Sequence, residues 1–161
     1  MMRHVRILFC IGLLLLNACG RKEEEPVVKE EEEIIENNTI MEDEKMLQMK
    51  IDDAYVEVRW EDNASVDALK ELCKENEFKI QMSMYGSFEQ VGYIGQDLPR
   101  DDVQTTTSYG DIVLYSGNNI VVFYGSNSWA YTRLGHIENI DQDQLRDLLS
   151  NGDVTITLYQ E

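Results

Sequence analysis

Cysteine, histidine and positive charge are scarce in this 161-residue chain. Of its three cysteines only Cys73 lies beyond residue 45. No disulfide can therefore form within residues 46–161, even on the oxidising side of a membrane. The two histidines are His4 and His136, and neither belongs to a Cys/His cluster with metal-ligand spacing. A zinc site or a Ser-His-Asp triad would rest on His136 alone, so no metal and no cofactor is expected. Fourteen Lys and Arg stand against 31 Asp and Glu, a net charge of −17; residues 46–161 alone carry 8 bases and 20 acids. So acidic a surface repels phosphate backbones, which argues against nucleic acid as a partner. Long apolar runs are missing too. The longest, Ile7 to Leu16, has ten residues, which as a helix reach about 15 Å, half the hydrocarbon thickness of a bilayer.

The position of that short run is informative. Arg3, His4 and Arg6 precede it as a basic n-region, and a run of this length fits the h-region of a signal peptide. It ends Leu16-Asn17-Ala18-Cys19-Gly20, which resembles the bacterial lipobox, where small residues precede a cysteine. Asn17 is less usual there than Ala, Ser or Gly. The resemblance implies that residues 1–18 are a lipoprotein signal peptide, cleaved before Cys19. It implies a thioether-linked diacylglycerol on the Cys19 sulfur and, in many bacteria, N-acylation of the new terminus. One acyl chain anchors only marginally, whereas two or three on one residue hold stably. The expected partner is thus the membrane itself, through Cys19, on the extracytoplasmic side of a bacterial cell. Residues 19–45 follow as an acidic tether. Between residues 21 and 45 eleven acids face four bases, and such a stretch cannot bury enough apolar surface to offset its chain entropy. Ile34, Ile35, Ile40 and Met41 would instead mark a short helix; either form serves as a spacer.

Residues 46–161 are the right size for one core. Leu47, Met49 and Ile51 alternate with polar residues, as do Val56, Val58 and Trp60, and Asp52-Asp53 between them predicts a hairpin turn. Asn63 or Ser65 can cap a helix whose apolar stripe is Val66, Leu69, Leu72 and Cys73, which makes Cys73 a buried free thiol. Phe78 to Met84 alternates again. The stretch YGSFEQVGYIGQDLPRDD, punctuated by Gly86, Gly92, Gly95 and Pro99, reads as a long loop with short extended pieces. Strands are predicted at 111–115, 120–124 and through WAYTRLGHI. A second helix follows, with Asp141 and Gln144 at capping-box spacing, Ile140 placed to staple onto Leu145, and Gly152 just past its end. A last strand carries Val154, Ile156 and Leu158. Mostly antiparallel strands with two short helices suggest a small closed barrel capped at its ends, without exposed edges.

In order along the chain stand Tyr85-Gly86, Leu98-Pro99, Tyr109-Gly110-Asp111-Ile112, Phe123-Tyr124-Gly125, Tyr131 to Ile137 and Gly152-Asp153-Val154. This string resembles the bacterial and archaeal cyclophilin-like proteins over nearly all of residues 46–161. The resemblance implies a mainly β fold, a cyclophilin-like closed barrel of about eight mostly antiparallel strands with two short capping α-helices. Prolyl isomerases of the cyclophilin type set an arginine beside a Phe-Met-x-Gln segment, with Trp and His lining an apolar groove. No such segment occurs here. Phe78-Lys79-Ile80-Gln81 is a strand whose phenylalanine alternation turns to the core. This counts against catalysis.

The segment IVVFYGSNSWAYTRLGHI, residues 120–137, holds four aromatics, an arginine and a histidine. With period two, Val121 and Phe123 share one face and Ile120, Val122 and Tyr124 the other. A strand apolar on both faces lies inside a layered structure; in a barrel one face fills the lumen and the other packs on the capping helices. Trp129, Tyr131 and Arg133 share a face of the next strand, and His136 lies on the opposite one. An outward Arg133 would lie over Trp129 or Tyr131, or pair with Asp111 or Glu89. Asp111, just after Gly110, is placed to cap its own turn. From these residues a candidate groove is drawn: Tyr85, Glu89, Tyr124, Trp129, Tyr131 and Arg133. The expected function is a membrane-anchored, non-catalytic module that binds a peptide, an envelope protein or a small ligand. The alternatives are an envelope peptidyl-prolyl isomerase and a structural subunit of an envelope complex.

Overall fold

The structure, a computed structural model, describes residues 45–161. The basic n-region, the apolar run, Cys19 and the tether up to residue 44 lie outside the described residues. Among those described, no helix is long and apolar enough to cross a membrane.

Ten strands and two helices follow one another in the domain. They are β1 (Leu47–Ile51), β2 (Ala54–Val56), β3 (Val58–Trp60), α1 (Ala64–Leu72), β4 (Phe78–Tyr85), β5 (Glu89–Tyr93), β6 (Val103–Thr106), β7 (Asp111–Tyr115), β8 (Asn119–Phe123), β9 (Ser128–Ile137), α2 (Gln142–Leu149) and β10 (Thr155–Gln160). Nine of the strands form a continuous antiparallel path, β2-β1-β10-β4-β5-β8-β7-β9-β3, and β6 pairs with β9 off that path. The two ends of the path are pieces of one stretch of chain, separated only by Glu57. β2 pairs with β1 and β3 with β9, so the chain changes neighbours at Glu57 and nearly closes the sheet into a barrel. Glu57 itself is held from the loop after β9: its N–H donates to Asn139 Oδ1 (2.9 Å) and its carbonyl accepts from the Glu138 N–H (2.9 Å). With β2 and β3 taken as one stave, the barrel has the eight expected of it.

Local chemistry accounts for most elements. Asp52 takes a positive φ of 49° in the two-residue turn that sets Ile51 opposite Ala54. The Asn63 side chain accepts from the N–H groups of Ser65 and Val66 and starts α1. Asp141 and Gln144 form a complete capping box on α2. Cys73 is buried at the end of α1 and its thiol is pushed up by burial.

Alternation divides the interior in two. Ile112, Leu114, Ile120, Val122 and Tyr124 join Met49, Ile80 and Leu158 in one large cluster that fills the barrel. Val113, Val121 and Phe123 point the other way and form a smaller cluster with Tyr131, with Phe88 and Val91 packed against it. The capping helices do not cover this second face, contrary to the sequence expectation. Val66 and Leu69 of α1 and Leu145 and Leu149 of α2 all belong to the large cluster, so the helices plug the barrel and leave the outer cluster to carry a surface site.

The stretch expected to be a loop contains a full stave of the barrel, β5, between β4 and β8. Its sequence, Glu-Gln-Val-Gly-Tyr, lacks apolar alternation because its barrel-side residues are Gln90 and Gly92. Gln90 is fully buried and its Nε2 donates to the carbonyls of Leu149 (2.7 Å) and Gly152 (2.8 Å) at the end of α2. A Cβ at Gly92 would stand 2.3 Å from Met82 Sδ and 2.6 Å from Ile80 Cγ2, so a larger residue has no room there.

Candidate functional site

An open groove of about 430 Å³ lies on the outer face of the barrel, above the small cluster. Tyr85, Tyr115 and Trp129 form its walls, Val91, Val121 and Tyr131 its floor, and Glu89 and Asn127 supply its polar atoms. Tyr85 (67 % exposed) and Trp129 (57 %) stand as rims, while Tyr131 is buried. The Tyr131 ring meets Tyr115 and Phe123 edge-on, at centroid distances of 6.1 and 5.8 Å. Asn127 Nδ2 donates to the Tyr131 hydroxyl at 3.0 Å. Three rigid contacts thus fix the floor ring.

The turn between β4 and β5 aims Glu89 into this groove. Gly86 has φ +61°, and a Cβ there would stand 2.3 Å from the Phe88 ring, so glycine is needed for both backbone and space. Phe88 then stacks on Phe123 (6.5 Å, 5° between planes), and its carbonyl accepts from the N–H groups of Tyr124 (3.0 Å) and Gly125 (2.9 Å). With Phe88 so held, the next residue, Glu89, is registered against Tyr85 on one side and Phe123 on the other. Glu89 is only 6 % exposed, and its Oε2 has no hydrogen-bond partner among the described residues. Burial pushes its carboxyl up to about 7. The Tyr131 and Tyr124 phenols are raised as well, by burial first and then by the Glu89 charge. A buried, unpaired carboxyl is costly, and such groups concentrate at functional sites.

A second recess of about 390 Å³ adjoins the first at Tyr131, which lines both; Arg133, Glu61, Arg100 and Asp101 lie around it. Arg133 is not free there. Its Nη2 donates to Asp111 Oδ1 at 2.8 Å, and its Nε stands 3.8 Å from Glu61 Oε1. Asp111 Oδ1 also meets His136 Nδ1 at 2.9 Å, while Oδ2 accepts from the Ser108 N–H (2.9 Å) and hydroxyl (3.3 Å). Burial alone would raise the Asp111 carboxyl, but the Ser108 N–H, the His136 ring and the Arg133 guanidinium outweigh it and hold it below the usual range.

Strict alternation puts Arg133 and His136 on opposite faces of β9, yet both reach one oxygen of Asp111. The cause is a β-bulge: Ile112 faces Gly135 while its neighbour Val113 faces Arg133, so Leu134 is an extra residue on β9. One inserted residue shifts the phase by half a period and turns His136 to the side of Arg133.

Of the six groove residues named from sequence, the structure brings four together: Tyr85, Glu89, Trp129 and Tyr131. Arg133 lines the adjoining recess and is occupied with Asp111. Tyr124 does not belong to the groove. It is 3 % exposed and packs in the large barrel cluster with Ile120 and Val122, where its place in the alternation puts it. Tyr115, Val91 and Asn127 line the groove without having been expected there. Tyr115 follows Val113 at period two, and that signal alone would place it on the groove face. Among the described residues no cluster of three His, Cys, Asp or Glu side chains is arranged to hold a metal ion.

The fold and this outer face point to one class of protein, a small mainly β barrel with an exposed ligand-sized groove. The chain belongs to the cyclophilin-like family, whose model matches residues 49–159. A solved structure similar to it is the solution structure of the hypothetical protein AF2241 from Archaeoglobus fulgidus, at 14 % identity and a TM-score of 0.48, covering 73 % of this chain and 95 % of that one. No curated protein matches it.

Proposed function

We propose that this cyclophilin-like domain is a non-catalytic binding module, tethered to the extracytoplasmic face of a bacterial cell membrane through acylated Cys19, and that the aromatic groove is where it binds an extended peptide. The observation that carries the reading is the groove itself: aromatic walls over a fixed tyrosine floor, lined also by a carboxyl whose buried oxygen has no partner among the described residues. Ligand sites are typically concave and mostly apolar, with few polar groups that fix orientation. Tyr131 lines the second recess as well, so a bound chain that leaves the groove there meets further polar side chains. The isomerase alternative has the fold behind it, which is analogy. The pairing of Arg133 with Asp111 and Glu61 leaves that guanidinium poorly placed to polarise a prolyl amide.

Two outcomes test the reading. Cys19→Ser moves the protein from the membrane fraction to the soluble fraction. The mature wild-type protein carries the mass of two or three acyl chains; a soluble wild-type protein without that mass removes the anchor. For the groove, Tyr85→Ala with Trp129→Ala leaves thermal stability within about 1 kcal/mol, because both side chains are mostly exposed. The same pair abolishes the binding of short extended peptides, which in the wild-type protein is followed by quenching of tryptophan fluorescence and checked by calorimetry. Acceleration of proline isomerisation above its slow uncatalysed rate, lost in Arg133→Ala, would overturn the non-catalytic reading.

A further inference from the structure

We infer that the groove selects an alkylammonium group, the side chain of a lysine on the bound peptide, with Glu89 as its counter-charge and the rings of Tyr85, Tyr115, Trp129 and Tyr131 as the walls around it. The inference rests on the groove reading and names the chemistry of its ligand.

Three observations converge on it. First, Glu89 is buried at the groove with Oε2 unpartnered, and among the described residues no Lys, Arg or His lines the groove. The buried Tyr124 hydroxyl also lacks a partner and feels the Glu89 charge, but it is neutral; a charged donor from outside suits an acid best. Second, four aromatic residues line the same groove as Glu89, and the faces of Tyr and Trp attract cations through their quadrupoles. An anionic or carboxylate ligand would meet those faces and Glu89 with repulsion from both. Third, a volume of about 430 Å³ is near the low end for ligand cavities, enough for one long side chain and a little backbone. The net charge of −17 draws cations to the surface as a whole.

Details of the site narrow the class. The carboxylate meets no cation among the described residues, and a compact ammonium on a slender stem suits a groove of this volume. A quaternary ammonium has no N–H to give the carboxylate. The selected group is thus an ammonium with at least one N–H on a slender stem. Glu89 also makes the binding sensitive to pH. The other titratable side chains facing it are Tyr85, Tyr115, Tyr124 and Tyr131; burial and then the Glu89 charge raise the phenols of Tyr124 and Tyr131. As pH falls through about 7, Glu89 is protonated and the attraction is lost, while the lysine remains charged.

The test uses the full-length protein in detergent, with calorimetry at pH 8 on capped peptides that differ only at a central residue: lysine, acetyl-lysine or trimethyl-lysine. Butylamine is the free-amine probe. The lysine peptide binds about tenfold or more tightly than the acetyl-lysine peptide, with trimethyl-lysine weaker than lysine. Glu89→Gln removes the preference, and in the wild-type protein it fades between pH 8 and pH 5.5. Equal binding of lysine and acetyl-lysine peptides, or an unchanged lysine preference in Glu89→Gln, overturns the inference. If the peptides bind equally but the Tyr85→Ala/Trp129→Ala pair abolishes them all, the groove reading stands and only the ammonium selection falls. If no peptide binds, both fall. Binding of butylamine without the lysine peptide overturns the peptide as occupant.

Discussion

Asp111→Ala destabilises the domain by about 2–3 kcal/mol, the upper range for losing hydrogen bonds to a buried charged group whose cationic partner is itself partly exposed, and urea unfolding at pH 7 reads it directly. The side chain of Asp111 is 5 % exposed and serves three points at once: the turn before β7 through Ser108, and two positions on β9 through Arg133 and His136. Alanine leaves the Ser108 N–H and the His136 ring without their acceptor and Arg133 with only the longer contact to Glu61. It also removes the group that ties down residues on both sides of the bulge. Arg133→Ala has a smaller effect, because Asp111 keeps Ser108 and His136 and the Arg133 side chain is already 39 % exposed. The pH dependence follows from the direction in which Asp111 is displaced. Its folded carboxyl titrates below its unfolded value of about 3.8, so its contribution is fully present above that value and is lost as pH falls through the folded one. The charged or titratable groups around it are Arg133, His136, Glu61 beyond Arg133, and Tyr109, whose ring lies 6.4 Å from His136. A loss under about 1 kcal/mol for Asp111→Ala would mean that the site is solvated and the cluster is only a surface ion pair.

The parts of this molecule that are legible in its sequence are those in which one residue's chemistry decides. The alternation of Ile120 to Phe123 marks both faces of β8, Asn63 and Asp141 mark the two helix starts, and Asp111 beside Gly110 marks its own turn cap. Three features escape such a reading for physical reasons. β5 carries no strand signature because its barrel-side positions are Gln90, whose Nε2 reaches carbonyls some sixty residues away, and Gly92, chosen for space. The convergence of Arg133 and His136 depends on a bulge, and a one-residue shift in pairing leaves no mark in a single strand's composition. The aromatic richness of its segment draws Tyr124 toward the groove, although its own phase beside Ile120 and Val122 turns it inward. The groove also needs residues from β4, β5, β7, β8 and β9 and the turn before β9, and only tertiary pairing brings those together.

Glu89→Gln stabilises the protein at pH 8, by about 2–3 kcal/mol, and gains nothing at pH 4. The sign follows from the titration. Burial raises the folded Glu89 carboxyl from about 4.5 to about 7, so the folded state holds its proton where the unfolded state has released it. Stability is therefore greatest below the unfolded value, falls as pH rises from about 4.5 to about 7, and stays reduced above. Each tenfold change in proton affinity between the two states corresponds to about 1.4 kcal/mol. The expected gain is smaller than the full product because the groove opens to water, which screens the charge. Glutamine keeps the shape and removes the charge, so the difference between the two proteins isolates this one group from the general repulsion of an acidic surface. For a domain of this size the gain amounts to roughly 5–15 °C in Tm at pH 8, read by calorimetry at several pH values. A flat difference across pH 4–8 would mean that Glu89 is already solvated or paired. A cost of this size, kept at a groove lined by exposed aromatics, is what a site that trades stability for recognition looks like. A saturating lysine ligand supplies the test of that trade. It should raise the Tm of the wild-type protein at pH 8, by mass action on the folded state, and leave that of Glu89→Gln nearly unchanged, since the charge it pairs with is gone.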